Sequence, residues 1–113
     1  MKVCDLIKTL DLTVFSGNSG LEKEITGGYS SDLLSDVMGN AKEGNIWITI
    51  QTHKNIMAVA SLKEISAIIL VKNLKPEDDV KNVSDDEGIP ILGTSLDAFM
   101  LAGKIYEQLK VSE

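Results

Sequence analysis

Arginine is absent: all 11 basic residues of the 113-residue chain are lysines. The planar guanidinium fork that grips guanine edges and carboxylates is therefore unavailable. With 17 acidic residues the formal charge is −6, which repels nucleic acid and anionic membrane surfaces alike. Cysteine and histidine occur once each, as Cys4 and His53. Together they cannot build a structural zinc site, and an unpaired cysteine gives no sign of an oxidising compartment. No metal and no cofactor are expected. Long apolar runs are missing too. Asp5, Lys8 and Asp11 interrupt the amino-terminal stretch before it could serve as a signal peptide. The longest uncharged apolar segment, 55–62, falls far short of the ~20 residues of a membrane-spanning helix. A cytoplasmic protein with no membrane or nucleic-acid partner is expected.

What remains is 43% apolar residues in a chain long enough to bury roughly 65% of its unfolded surface, sufficient for one core in a single domain spanning 1–113. The five large aromatics, Phe15, Tyr29, Trp47, Phe99 and Tyr106, are expected in that core or in an oligomer interface. Val3, Leu6, Ile7 and Leu10 share one helical face, with Cys4 as a small buried thiol beside Val3, and Leu12 to Phe15 reads as a strand. The glycines of 16–20 mark a turn. A second strand over 24–29 contains Gly27-Gly28, a pair that predicts a bulge or a close approach by another backbone. Ser30, Ser31 and Asp32 are N-cap candidates for a helix ending near Gly44. Asn45 to Ile50 and Ala67 to Val71 are nearly continuous apolar runs, as in strands covered on both faces, and an apolar helix over 56–60 lies between them. Pro76 and the acids after it suit a helix start, and Gly88 its end. Pro90 predicts a strand start or an edge for 89–92, and Thr94 or Ser95 caps a last helix running from Leu96 to Leu109. Strands alternating with helices predict an α/β fold with a mainly parallel or mixed sheet and flanking helices.

Catalytic signatures are weak. Gly39 to Gly44 has the spacing of a phosphate-binding loop, but Asn45-Ile46 stands where Lys and Ser or Thr must follow, and the segment precedes a strand. Nucleophilic catalysis would have to rely on His53 as its only imidazole base. The acids at 77–79 and 85–87, offset by Lys81, carry five of the six net negative charges; without a calcium-loop pattern they read as a solvated helix. The most distinctive polar cluster is 49–55, at a strand's carboxyl end, where open parallel sheets bind ligands. Ser31 and Asp32 from one neighbouring unit and Thr94 and Ser95 from another would join Gln51, Thr52, His53 and Asn55 on one rim. These eight residues are the ligand-binding candidates, although caps satisfying local backbone groups would use the same residue types.

Two stretches carry a resemblance. Residues 26–38, with Gly27-Gly28-Tyr29 and the run from Ser31 to Val37, and residues 46–60, with Gln51-Thr52-His53-x-Asn55 and Ala58-Val59-Ala60, together resemble the DRTGG domain family, as do 67–70 and 88–92. The resemblance implies an α/β domain similar to the amino-terminal domain of HPr kinase/phosphorylase, of a kind that accompanies nucleotide-sensing CBS modules in some pyrophosphatases. It implies an accessory, dimer-forming or regulatory unit with catalysis elsewhere. Glu24-Ile25 precede Thr26-Gly27-Gly28 here, so no role of the family's Asp-Arg pair carries over. The expectation is a non-enzymatic homodimer that senses a small ligand such as an adenine nucleotide and works with a separate protein partner, with Gly27 and Gly28 permitting close contact between subunits. The rival is a small nucleotide-binding protein or enzyme using the rim around His53.

Overall fold

Side chains along a strand alternate between the two faces of its sheet, so a strand with apolar residues at successive positions needs cover on both sides. In the computed structural model, which describes residues 1–111, β3 (Asn45–Thr49) and β4 (Ala67–Leu70) are buried along their whole length. Trp47, Ile68 and Leu70 face one core, with Val37 of α2 (Leu34–Asn40), Ile56, Met57, Val59 and Ala60 of α3 (Asn55–Leu62) and Val80 of α4 (Asp78–Glu87). Ile46, Ile48, Ala67 and Ile69 face a second core, with Val3 and Leu6 of α1 (Val3–Leu10) and Leu101 and Ile105 of α5 (Ala98–Val111).

The sheet is mixed, in the order β1-β5-β4-β3-β2. β2 (Gly27–Ser30), β3, β4 and β5 (Ile91–Gly93) run parallel, and β1 (Thr13–Ser16) closes one edge antiparallel to β5. The expected α/β architecture is thus present. Pro90 stands just before β5, which is an inner strand. Gly27 and Gly28 pair regularly with Asn45 and Ile46, without a bulge; the sheet's irregularity lies between Val14 and Ser16, leaving Phe15 as the unmatched residue of β1. Cys4 is half-buried, not enclosed.

At the amino-terminal rim of the parallel strands, the Ser16 hydroxyl donates to Ser84 Oγ (2.9 Å), which donates to the Ile89 carbonyl (2.6 Å), and Asp85 accepts the Gly17 N–H (2.7 Å). This relay holds β1 to α4 and satisfies two buried hydroxyls. Gly17, at φ +77°, and Gly20 let the turn after β1 lie directly on the backbone of residues 88–90, where any β-carbon would overlap it. Gly20→Ala is expected to cost well over ~1 kcal/mol, because the obstructing atoms are backbone and cannot swing aside. Urea unfolding at equilibrium measures it.

Candidate functional site

All four parallel strands end at one rim, so the loops after β2, β3, β4 and β5 meet there. At its β2–β3 end the predicted residues form a knot. Asp32 Oδ1 accepts both the Thr49 hydroxyl and the Ile50 N–H, each at 2.9 Å, while Gln51 Nε2 donates to the Asp32 carbonyl at 2.9 Å. The Trp47 indole N–H donates to the Ser31 carbonyl (2.9 Å), and Ser31 Oγ accepts the Leu33 N–H (3.2 Å). The knot explains why polar Thr49 is buried and apolar Ile50 is exposed, the reverse of the strand pattern expected over 45–50. It also replaces the expected capping: α2 starts after Leu33 with no side-chain cap, and ends at Asn40 instead of Gly44. His53 Nδ1 lies 2.8 Å from Glu77 Oε2 with both side chains largely exposed, and the Glu77 N–H donates to the Thr52 carbonyl (3.3 Å). This clasp joins the start of α3 to that of α4, and no nucleophile is hydrogen-bonded to the imidazole among the described residues. Asn55 is exposed on the first turn of α3.

Tyr29 continues the knot below the rim, its hydroxyl donating to Asp36 Oδ2 at 2.8 Å. That bond, aided by hydrogen bonding from Ser31, holds the Asp36 carboxyl below its ordinary range and raises the Tyr29 phenol above its own. A lowered acid stabilises the fold above its unfolded value and loses that contribution as pH falls through its folded value; a raised phenol contributes below its unfolded value and fades as pH rises through the folded one. Tyr29→Phe should therefore lower the melting temperature most between these ranges. The difference from wild type should be clear near about pH 7 and shrink near about pH 2, as followed by circular dichroism. Asp32→Ala should cost ~1–3 kcal/mol by orphaning the buried Thr49 hydroxyl and the Ile50 N–H, whereas Asp32→Asn, which keeps an acceptor oxygen, should recover most of it in denaturant unfolding.

The other end of the rim is open. The loop after β4 turns toward α4 on one face and the loop after β5 toward α5 on the other. Between and beside them lies a cavity of about 930 Å³ lined by Thr94 and Ser95, among others. Neither residue caps α5: Thr94 Oγ1 accepts the Leu96 N–H (3.2 Å), and Asp97 Oδ1 accepts the Met100 N–H (2.9 Å), so the helix starts two residues later than Leu96. Thus Ser31, Asp32 and Gln51 share one hydrogen-bonded knot, Thr52 and His53 the adjoining clasp, and Thr94 and Ser95 a separate cavity on the far side of β4. Sequence reasoning missed Phe15, Asn73, Lys75 and Lys104 of that cavity. They come from three separate segments, and only the turn propensity of Lys72-Asn73 offered a local signal.

A third feature is an apolar groove of about 440 Å³ between α5 and edge strand β2. Small residues create it: Gly28 and Ser30 on the strand oppose Ala102 and Gly103 on the helix, with Phe99 and Tyr106 flanking at 84% and 69% exposure. Gly103 faces open space. Among the described residues none of those lining the groove is charged, in a chain where a quarter of the residues are.

A half-open α/β sheet with a hydrogen-bonded rim, an adjoining cavity and an uncharged groove defines a small α/β domain whose polar rim groups mostly serve its own loops. The chain belongs to the DRTGG domain family, whose model matches residues 5–108. Among solved structures with this fold is the CBS and DRTGG region of the regulatory part of a Clostridium perfringens pyrophosphatase, complexed with its activator diadenosine tetraphosphate. It has 16% identity and a TM-score of 0.70, over 91% of this chain and 44% of that one. The present chain thus spans less than half of that regulatory region. Among curated proteins none is similar enough to count as a relative. No helix among the described residues is long and apolar enough to cross a membrane.

Proposed function

We propose that the chain is a non-catalytic, homodimeric regulatory domain of the cytoplasm that senses a small ligand such as an adenine nucleotide and passes its state to a protein partner. The observation that carries the reading is the uncharged face made by β2 and α5. Two copies with a formal charge of −6 repel each other over most of their surface, so close approach is favoured where charge is missing. A two-fold interface must also be self-complementary, and this face offers protruding rings, Phe99 and Tyr106, beside the hollow left by Gly28, Ala102 and Gly103. Gly27 and Gly28 lie on the open edge of the sheet, where a second backbone has room to come close. Ligand sensing is supported by the family's place in a regulatory region that binds an adenine nucleotide activator. An enzyme built on His53 has less support, because the imidazole faces Glu77 in solvent and the neighbouring polar groups serve the loops.

Sedimentation equilibrium tests the assembly. Wild type is expected to sediment as a dimer at micromolar concentration, and Tyr106→Glu as a monomer with unchanged circular dichroism, since the side chain is exposed and its loss leaves the core intact. A wild type that stays monomeric at its highest soluble concentration, or a Tyr106→Glu variant that remains fully dimeric, would overturn the proposed interface.

A further inference from the structure

We infer that the cavity at the β4–β5 end of the rim is a binding site for a phosphorylated small molecule carrying a flat ring, a nucleotide in chemical class. The inference rests on the ligand-sensing reading above and gives it a place and a chemistry. The topology comes first. Adjacent parallel strands whose carboxyl-end loops depart to opposite faces leave a crevice between them, the position where open α/β sheets hold ligands. β4 and β5 are such a pair, since β4 leads to α4 on one face and β5 to α5 on the other. The preceding connections, through α2, α3 and α4, all pack on the same face.

The backbone beside this crevice is strained. Lys72 and Asn73, neither of them glycine, both adopt left-handed conformations with φ of 59° and 61°. They are held there by the next loop: the Lys72 N–H donates to the Leu96 carbonyl and the Asn73 N–H to the Thr94 carbonyl, each at 2.9 Å. Two consecutive unfavourable residues persist where surrounding structure imposes them, and such positions gather at ligand sites.

β1 is irregular at the same place. Phe15 is the unmatched residue of the β1–β5 pairing, and its ring leans into the space that a side chain at position 93 would fill; a β-carbon on Gly93 would stand 2.5 Å from the Phe15 ring. A bulge that re-aims an aromatic ring toward a cavity, opposite a glycine that makes room for it, provides a stacking surface at the cavity wall.

Charge completes the site. Lys75 and Lys104 line the cavity from different elements, with Asp11 as its only acid among the described residues. Neither lysine has an ion-pair partner within 4 Å among the described residues. In a chain of formal charge −6, this leaves two unpaired ammonium groups, with the hydroxyls of Thr94 and Ser95, facing a volume of about 930 Å³. That volume is within the range of sites that enclose small ligands, and ammonium and hydroxyl donors suit phosphate oxygens.

Calorimetric titration of the full chain with ATP, adenosine and inorganic tripolyphosphate, together with amide chemical-shift mapping, tests the site. ATP is expected to bind more tightly than either fragment and to shift the Asn73, Thr94 and Lys104 amides. Lys75→Ala and Lys104→Ala should each weaken it about tenfold or more, while His53→Ala should bind as wild type does. Both lysines are exposed, so these variants retain the core. Phe15→Leu should weaken ATP but not tripolyphosphate. ATP binding unaffected by both lysine variants, with shifts confined to 49–55, would overturn the placement and leave the ligand-sensing reading standing. No binding of any of the three probes would overturn both.

Discussion

The structure depends on the double burial of β3 and β4. Trp47 and Ile68 on one side and Ile46, Ile48 and Ile69 on the other leave neither face of the central sheet fit for water, and at roughly 1.5–3 kcal/mol for each large apolar side chain buried, cover is required on both faces. Helices α2, α3 and α4 supply one cover, and α1 and α5 the other. Once α5 must cross to the second face, the loops after β4 and β5 have to part. The crevice at the rim is thus a consequence of how the core is closed.

The same demand accounts for the polar chemistry at the opposite end. A strand buried on both faces cannot end in a loose loop, because its last carbonyls, N–H groups and Thr49 would lack partners. Asp32 accepts the Thr49 hydroxyl and the Ile50 N–H, the Gln51 N–H donates to Thr49 Oγ1, the Val71 N–H donates to the Thr49 carbonyl, and the indole N–H of the fully buried Trp47 is satisfied by the Ser31 carbonyl. Residues that look like a ligand cradle by type therefore also serve as closure for a buried sheet. The distinction matters for function. A group committed to a structural bond contributes little new affinity for a ligand, whereas an ammonium without an intramolecular partner has its full charge to offer.

The uncharged face of α5 and β2 follows from residue size. α5 rests on the sheet through Leu101 and Ile105, and toward the edge the contact thins because Gly28, Ser30, Ala102 and Gly103 have little side chain to fill it. The small residues on the helix side of the hollow and the protruding rings beside it thus lie on the same helix. An edge strand without a neighbour is normally shielded by charge or by another element; among the described residues no further strand pairs with β2, and a second subunit is the proposed cover.

The residue order by itself determined the fold class, the family and most helix and strand positions, because apolar periodicity and turn residues act over a few neighbours and need no tertiary information. Val3 to Leu10, Asn45 to Thr49 and Ala67 to Leu70 were legible in this way. It could not show that Thr49 is buried and Ile50 exposed, that Leu33 and Asp97 stand where Ser31 and Thr94 were expected to cap helices, or that the irregularity falls at Phe15 and not at Gly27-Gly28. Apart from the cap that Asp97 makes with Met100 three residues on, each depends on a partner 16 or more residues away or on strand register, and a local pattern carries no record of either. The cavity is the clearest case. Phe15, Asn73, Lys75, Thr94 and Lys104 lie in four separate stretches of chain, and only the placing of β1 beside β5, with α4 and α5 on opposite faces, brings them to one place.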